Sequence, residues 1–134
     1  MPVHTSVAIN YVAQVNNSKQ TDIRWPMTAE LKKRIAILER MLDNVGACIF
    51  SKDLDGRYTY VNQAVLNVFD LNEEDVLGKD DSHFFNLAKS QEVIENDRAV
   101  MQTGKVLEKE ETNFVKSFNK EKTYRIVKKP IYDE

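Results

Sequence analysis

Apolar residues first alternate with polar ones along this chain and then change to a helical spacing. From Val3 to Val15 the odd positions are mainly β-branched, aromatic or apolar, a period of two that predicts a strand. The polar run at residues 16–20 predicts a loop, and the Trp-Pro pair at 25–26 marks a boundary before a helix. Thr28 is the predicted N-cap of that helix, since its hydroxyl oxygen can accept from a free amide of the first turn.

The predicted helix covers residues 28–44, and its apolar residues recur at steps of four and three. They are Leu31, Ile35, Leu38, Leu42 and Val45. This is the seam spacing of a two-stranded coiled coil, sustained for only about two heptads. The seam can dock on the chain's own domain or pair with a second copy, and the pattern leaves both open. The candidate dimer contacts are Leu31, Ile35, Leu38 and Leu42.

The rest of the chain alternates short strands with short helices, which indicates an α+β fold. Strands are predicted at 47–52 and 57–61, and a second hairpin at 106–118 and 122–132 around a turn at 119–121. Helices are predicted at 63–69 and at 90–103. A further short helix is predicted to begin at the capping run 72–75. Asp55-Gly56 supplies the positive backbone angles of a tight turn, and Asn62 is the N-cap of the helix that follows. Gly104 is the predicted C-terminal stop of the longest helix.

Composition narrows the function classes. Charged residues make up 30% of the 134 residues, yet the formal net charge is only -2, so no broad basic field favours nucleic acid or an anionic membrane. Cys48 is the one cysteine, and its apolar neighbours predict a buried strand position in a reducing compartment. No run approaches the roughly 20 apolar residues of a membrane span, and the N-terminus lacks a signal-peptide pattern. We therefore expect a soluble, cytoplasmic domain.

The element order and several segments resemble the PAS domain, a small sensory module with a five-stranded antiparallel sheet and helices on one face. The segment at 52–64, KDLDGRYTYVNQA, is similar to the family's first hairpin and next helix. The segments at 73–81 (EEDVLGKDD), 84–85 (FF), 96–105 (NDRAVMQTGK) and 128–134 (KKPIYDE) match later parts in order. The resemblance covers residues 38–134. It implies a division into an N-terminal extension at 1–26, an amphipathic linker or dimer helix at 27–45, and a PAS domain at 46–134.

One departure from the family concerns its final strand, which lies between the first and the penultimate strands of the sheet. This chain stops at residue 134, before that strand. A sheet without it leaves two rows of unpaired backbone groups, each a template for another strand. We therefore expect the strand-like segment 3–15 to pair with 47–52 or with 122–132, within one chain or by exchange between two.

The sequence offers little for catalysis or metal binding. The only histidines are His4 and His83, and no phosphate-binding loop or nucleophile elbow is present. A capped acidic turn explains Asp80, Asp81 and His83 better than a metal site does, so no metal is expected. We expect that the chain itself is not an enzyme, although an attached output domain can be one.

The resemblance raises the question of whether the chain binds a cofactor. Flavin-binding light sensors of the PAS group carry a reactive cysteine where this chain has Lys79 to Phe84, with no cysteine. Haem would need a histidine on or near the helix 90–103, which has none, and His83 just ahead of it is interpreted as a surface or capping residue. Haem and flavin are therefore disfavoured, and the cofactor is left unknown.

Aromatic residues at strand and helix positions can line a cavity or simply fill the core. They are Phe50, Tyr60, Phe69, Phe84, Phe114 and Tyr124. The resemblance implies a sensory module that binds a small molecule or partner and relays to an absent output domain. A diguanylate cyclase of the GGDEF class is favoured, with a histidine kinase next. A homodimer is the expected assembly, and the alternative function is a ligand-free dimerisation or protein-interaction module.

Overall fold

The computed structural model describes residues 28–132 and the backbone of residues 4 and 5. Its strands are β1 (His4–Thr5), β2 (Phe50–Lys52), β3 (Tyr58–Val61), β4 (Leu107–Val115) and β5 (Lys120–Lys128). Its α-helices are α1 (Ala29–Asp43), α2 (Gln63–Phe69), α3 (Glu73–Val76) and α4 (Gln91–Thr103), with short 3-10 helices at Asp81–His83 and Leu87–Lys89. Helices mixed with mainly antiparallel strands confirm the α+β class.

The helix ends lie where capping residues predicted them. The Thr28 hydroxyl accepts a hydrogen bond from the Leu31 amide at 3.2 Å, and the Asn62 side chain accepts one from the Val65 amide at 3.3 Å. Both bonds satisfy amides of a first helical turn that have no partner within the helix. Gly104 ends α4 with a φ of 65°, a left-handed conformation that glycine adopts without a steric penalty.

The strands form two separate sheets. One contains β2 and β3 in an antiparallel pair, and the other has the order β1-β5-β4. In the described part of the chain no backbone pairing joins β2 to β5. The place between β2 and β5 that the family's final strand fills is therefore not bridged by these two strands.

One of the two expected pairings of the N-terminal segment is present. His4 and Thr5 run parallel to β5, opposite Tyr124 and Arg125. Residue 3 and residues 6–15 of the predicted strand lie outside the described residues, as do the loop at 16–20 and the pair at 25–26. The length of the N-terminal strand and the three-part division of the chain stay predictions.

Several predicted strand boundaries were wrong, and the last strand ends at Lys128 rather than at residue 132. The second hairpin turns at residues 116–119 rather than 119–121, because Asn119 takes a left-handed φ of 51° and Lys120 already pairs with Val115. The first strand begins at Phe50 rather than at residue 47. The Ile49 amide there donates to the Asn62 side chain at 3.0 Å instead of to a neighbouring strand.

The core lies where α2 and the segment after α3 pack on the sheets. Its buried members are Tyr58, Val61, Val65, Phe69, Val76, Phe84, Phe85 and Val115. The Phe69 and Phe84 rings stack with centroids 4.4 Å apart, and Tyr58 meets Phe84 edge-on at 5.4 Å. Such aromatic pairs add roughly 0.5–1.5 kcal/mol beyond the area that they bury. The two short helices are thus stabilised by tertiary packing, which they need at this length.

Candidate functional site

A partly open cavity of about 50 Å³ is lined by residues of both sheets, α2 and α4. Its walls are mostly apolar, and its lining is Cys48, Phe50, Tyr58, Val65, Val68, Phe69, Phe85, Val93, Glu111, Asn113, Tyr124 and Ile126. Burial raises the pKa of Tyr124 to about 12, so its hydroxyl keeps its proton at neutral pH. The volume suits roughly four water molecules. Pockets for drug-sized ligands are larger, at roughly 300–1,000 Å³.

The structure brings three of the six predicted cavity residues to this space. Phe50, Phe69 and Tyr124 line it, while Phe84 packs beside it against Phe69. That this cavity binds a ligand stays a prediction.

Two of the predicted lining residues lie elsewhere. Phe114 alternates with the buried Asn113 and Val115 along β4, so it faces the other side of the sheet, where the Lys89 ammonium lies 4.8 Å from its ring. Tyr60 lies in a surface depression beside Glu39 of α1.

Two buried lysines, Lys52 on β2 and Lys128 on β5, meet carboxylates in the interior. Their side chains are only 2% and 0% exposed. Lys52 Nζ lies 2.6 Å from Asp81 Oδ2 and 2.7 Å from Asp97 Oδ2. Lys128 Nζ lies 2.6 Å from Asp97 Oδ1 and 2.8 Å from Glu111 Oε2. These five residues form the ion network, and each ammonium has two carboxylate partners that offset the cost of burying its charge.

Asp97 of α4 is the centre of the ion network. One of its oxygens contacts the lysine of β2 and the other contacts the lysine of β5. Because no described backbone bond joins these two strands, the carboxylate connects two sheets that main-chain pairing leaves apart. The network therefore holds α4 against both sheets.

The charges of the ion network are fixed by their mutual contacts. Burial acts to lower the pKa of Lys52, but Asp81 and Asp97 outweigh it and raise that pKa above its usual range. Burial acts to raise the pKa of Asp97, but Lys52 and Lys128 outweigh it and lower that pKa. Both groups are therefore charged at neutral pH. A lysine with a raised pKa does not act as a base there, so this network has a structural role.

The ion network continues into polar residues at the cavity wall. Glu111 accepts hydrogen bonds from Asn96 Nδ2 at 2.8 Å and from Asn113 Nδ2 at 2.7 Å. Asn113 is 2% exposed, and its Oδ1 has no hydrogen-bond partner among the described residues. Nearly all buried polar atoms in proteins have a partner, so this oxygen calls for an explanation.

Helix α1 differs from the ion network, whose charged residues are buried, because the apolar residues of α1 are in contact with solvent. No residue of α1 is buried. Of the four predicted seam residues, Leu31, Ile35 and Leu38 are exposed by 45%, 41% and 59%, and Leu42 is half-buried. The described residues of the domain therefore do not cover this seam, and its pairing with a second chain stays a prediction.

The C-terminal end of α1 is tied to the core by two side chains. Asn62, which is buried, donates to the Leu42 carbonyl at 2.9 Å and to the Ala47 carbonyl at 2.8 Å. Asp43 of α1 accepts from the Gln63 amide at 2.8 Å. The Asn62 side chain thus makes four hydrogen bonds, one to α1, one to α2 and two to the segment between α1 and β2.

The acidic turn after α3 is occupied by structural contacts. Asp80 Oδ1 accepts from the Ser82 amide at 3.0 Å and lies 3.4 Å from His83 Nδ1. Asp81 belongs to the ion network and also accepts from the Tyr58 hydroxyl at 2.7 Å. Among the residues that the structure describes, no group of three or more ligating side chains is arranged to hold a metal.

Sequence reasoning missed the ion network and Asn113. Lys52 and Lys128 stand at strand ends, where lysines usually contact water. A signal was nevertheless present, because the period of two that buries Val115 places Glu111 and Asn113 on the same face of β4. Following that alternation in β5 places Lys128 on the face of the buried Ile126. Opposite charges on the buried face of one sheet indicate a buried pair.

Comparisons with known proteins agree with this architecture. A family model described as PAS fold matches residues 42–134. A diguanylate cyclase of Vibrio cholerae serotype O1 (strain ATCC 39541 / Classical Ogawa 395 / O395) is 31% identical over 99 residues, which is 74% of this chain and 31% of that protein. The chain thus spans about a third of the length of this relative. No solved structure matches it significantly. Within residues 28–132, no helix is long and apolar enough to cross a membrane.

Proposed function

The chain belongs to the PAS fold family, and from this membership we propose that it is the sensory module of a diguanylate cyclase, relaying its state to the output domain through a helix dimer. The similarity to the Vibrio cholerae diguanylate cyclase supports this output over a histidine kinase. The observation that carries the proposal is α1 itself. It exposes a coiled-coil seam to solvent while its C-terminal end is hydrogen-bonded into the core.

The charges beside the seam fit a second copy of this chain in parallel orientation. With Ile35 and Leu42 at a positions and Leu38 at a d position, Arg34 takes a g position and Glu39 the following e position. In a parallel dimer these two charges face each other across the interface, once on each side. Opposite charges at g and e favour that pairing and register. The occupant of the seam is therefore a second copy of α1.

Asn62 is the residue best placed to transmit a change from the core to this dimer. Its neighbour Val61 belongs to the core, and the side-chain Nδ2 of Asn62 donates to the Leu42 carbonyl in the last turn of α1. A displacement of β3 or α2 therefore changes the geometry at the end of the seam. Replacing Asn62 by Ala would remove all four of its side-chain bonds and leave α1 attached mainly through Asp43.

A chimaeric enzyme tests this function. The segment of the Vibrio cholerae diguanylate cyclase that matches this chain is exchanged for this chain, and cyclase activity and oligomeric mass are measured. We expect a dimeric, active chimaera whose activity changes at least about threefold with Asn62→Ala. The matched control is Asn67→Ala, since Asn67 lies exposed on α2 and, among the described residues, its side chain bonds only to Gln63. An active chimaera in which both variants behave as the unmodified one would contradict the relay through Asn62.

The alternative is a dimerisation module without a ligand. The small cavity volume and the stacked rings of Phe69 and Phe84 favour it. It predicts the same dimer, with no small molecule that changes the output of the chimaera. Screening the chimaera against small neutral compounds therefore separates the two functions.

A further inference from the structure

The edges of β2 and β5 border one gap between the two sheets. Within the described part of the chain, β2 pairs only with β3, and β5 pairs with β4 on one side and with the two residues of β1 on the other. Lys52 and Lys128, the last residues of β2 and β5, meet at the carboxylate of Asp97. The two strands therefore end side by side, and the gap between them is called the slot.

The two strands that border the slot run in the same direction. Their last residues, Lys52 and Lys128, reach one carboxylate of α4, while the upstream residues Phe50 and Tyr124 both line the cavity. A strand that is parallel to β5 is therefore also parallel to β2. The N-terminal strand β1 has this orientation, because it pairs with β5 in parallel.

The main chain of β2 directs a donor and an acceptor into the slot. The Asn62 amide donates to the Ile49 carbonyl at 2.9 Å, so these two residues form a hydrogen-bonded pair at the end of the β2–β3 ladder. Hydrogen bonding alternates along an antiparallel pair, so Phe50, opposite Val61, turns its N–H and C=O away from β3. An edge of this kind is a template for another strand.

We propose that the N-terminal segment of the same chain inserts into the slot, pairs with both edges and joins the two sheets into one of order β3-β2-β1-β5-β4. Its first two residues already pair with β5, with His4 opposite Tyr124 and Thr5 opposite Arg125. The chain between β1 and α1 closes at modest cost, because loop-closure entropy rises slowly with length. The inserted strand closes the slot to strands of other molecules, since a paired edge offers no free backbone groups.

The side chains that follow β1 suit this insertion. The register of β1, continued along β5, brings Ser6 and Ala8 to the interior face of the sheet, which carries the buried Ile126. Small side chains add little volume to a packed interior. The same register brings Val7 beside Val127 on the other face, where two β-branched residues form a favourable cross-strand pair.

A disulfide tests the register and the source of the strand. In the full chain with Cys48→Ala, the variant Thr5→Cys/Arg125→Cys joins two directly opposite positions, which a disulfide with a Cα distance of about 4.4–6.8 Å can bridge. The control Thr5→Cys/Thr123→Cys is slipped by two residues, which separates the Cα atoms by about 8 Å. We expect peptide mass spectrometry to show a cross-link within one chain for the first variant only. A cross-link between two chains would overturn the insertion by the same chain, and cross-linking of both variants or of neither would overturn the register.

Amide hydrogen exchange in the 15N-labelled full chain tests the edge of β2. The Phe50 amide should exchange at least about tenfold faster in Val7→Pro than in the unmodified chain, because a proline inside a strand disrupts its pairing. Ser18→Pro lies in the loop predicted at 16–20 and is the control, with unchanged exchange. The Ser51 amide, which faces β3, should stay protected in all three proteins. Fast exchange of the Phe50 amide in the unmodified chain, or equal protection in Val7→Pro, would overturn the insertion.

Discussion

The ion network and helix α1 reverse the usual distribution of side chains in opposite directions. In the interior, Lys128 is fully buried and bonded to two carboxylates. On the surface, Leu38 and Met41 are exposed by 59% and 62%. Charged residues are rarely fully buried unless paired, whereas contiguous exposed apolar residues mark an interaction surface. The two regions therefore differ in what stabilises them. The buried lysine has its carboxylate partners inside the domain, whereas the exposed apolar residues need another molecule to cover them.

This difference predicts different consequences of mutation. Removing one member of the ion network should cost folding stability without changing the assembly. Introducing charge on the α1 seam should change the assembly without a cost to the stability of the single domain. Variants in each region can therefore contradict the comparison separately.

The largest expected effect follows from Lys128→Met. The variant removes one of the two lysine partners of Asp97 and the lysine partner of Glu111, both in a buried position. Breaking a buried ion pair by removing one partner costs about 3–5 kcal/mol, so we expect a loss of this size in the free energy of urea unfolding. The control is Arg125→Met on the same strand, whose ion pair with Glu108 is exposed. Its free energy of unfolding should be unchanged, and equal losses in both variants would show that burial of the pair is unimportant.

The second effect concerns assembly. The double variant Ile35→Glu/Leu38→Glu places four carboxylates in the seam of the proposed dimer and should weaken dimerisation at least about a hundredfold. Lys33→Glu/Arg40→Glu introduces as many carboxylates on the opposite face of α1 and should leave the dimer intact. Light scattering over a concentration series measures both. Two dimeric variants would place the interface elsewhere, and two monomeric ones would assign the effect to net charge.

The smallest effect appears at acid pH. The pKa of Asp97 in the folded protein lies below its usual value, so its stabilising contribution is complete above the unfolded pKa of about 3.9 and is lost as the pH falls through the folded pKa. Asp97→Asn should therefore lose less unfolding free energy between pH 5 and pH 3 than the unmodified chain does. Glu108→Gln is the exposed control and should match the unmodified chain. The same pH dependence in all three proteins would contradict the role assigned to Asp97.

Local signals in the sequence were sufficient for most of the fold. The cap residues Thr28 and Asn62 and the terminal Gly104 act within one turn of the chain, so their effect can be read without the tertiary structure. The turn at 116–119 was misplaced because Phe118 reads as a strand residue, yet it lies exposed in the turn.

The candidate site depended on contacts that are distant in the sequence. Lys52 and Asp97 lie 45 positions apart, and nothing local to either residue indicates their pairing. The unpartnered oxygen of Asn113 likewise becomes visible only when its surroundings are known. The α1 seam was visible from spacing alone, but its exposure required the structure.

Disulfide cross-linking of Leu38→Cys in a Cys48→Ala background tests the central claim, that the α1 seam pairs two copies in parallel. In a parallel dimer the two Leu38 positions face each other within the reach of a disulfide, for which Cα atoms lie about 4.4–6.8 Å apart. Lys33→Cys in the same background lies on the outer face and is the control. We predict a cross-linked dimer on a non-reducing gel for Leu38→Cys and a monomer for Lys33→Cys. Equal cross-linking of both variants, or of neither, would contradict the account.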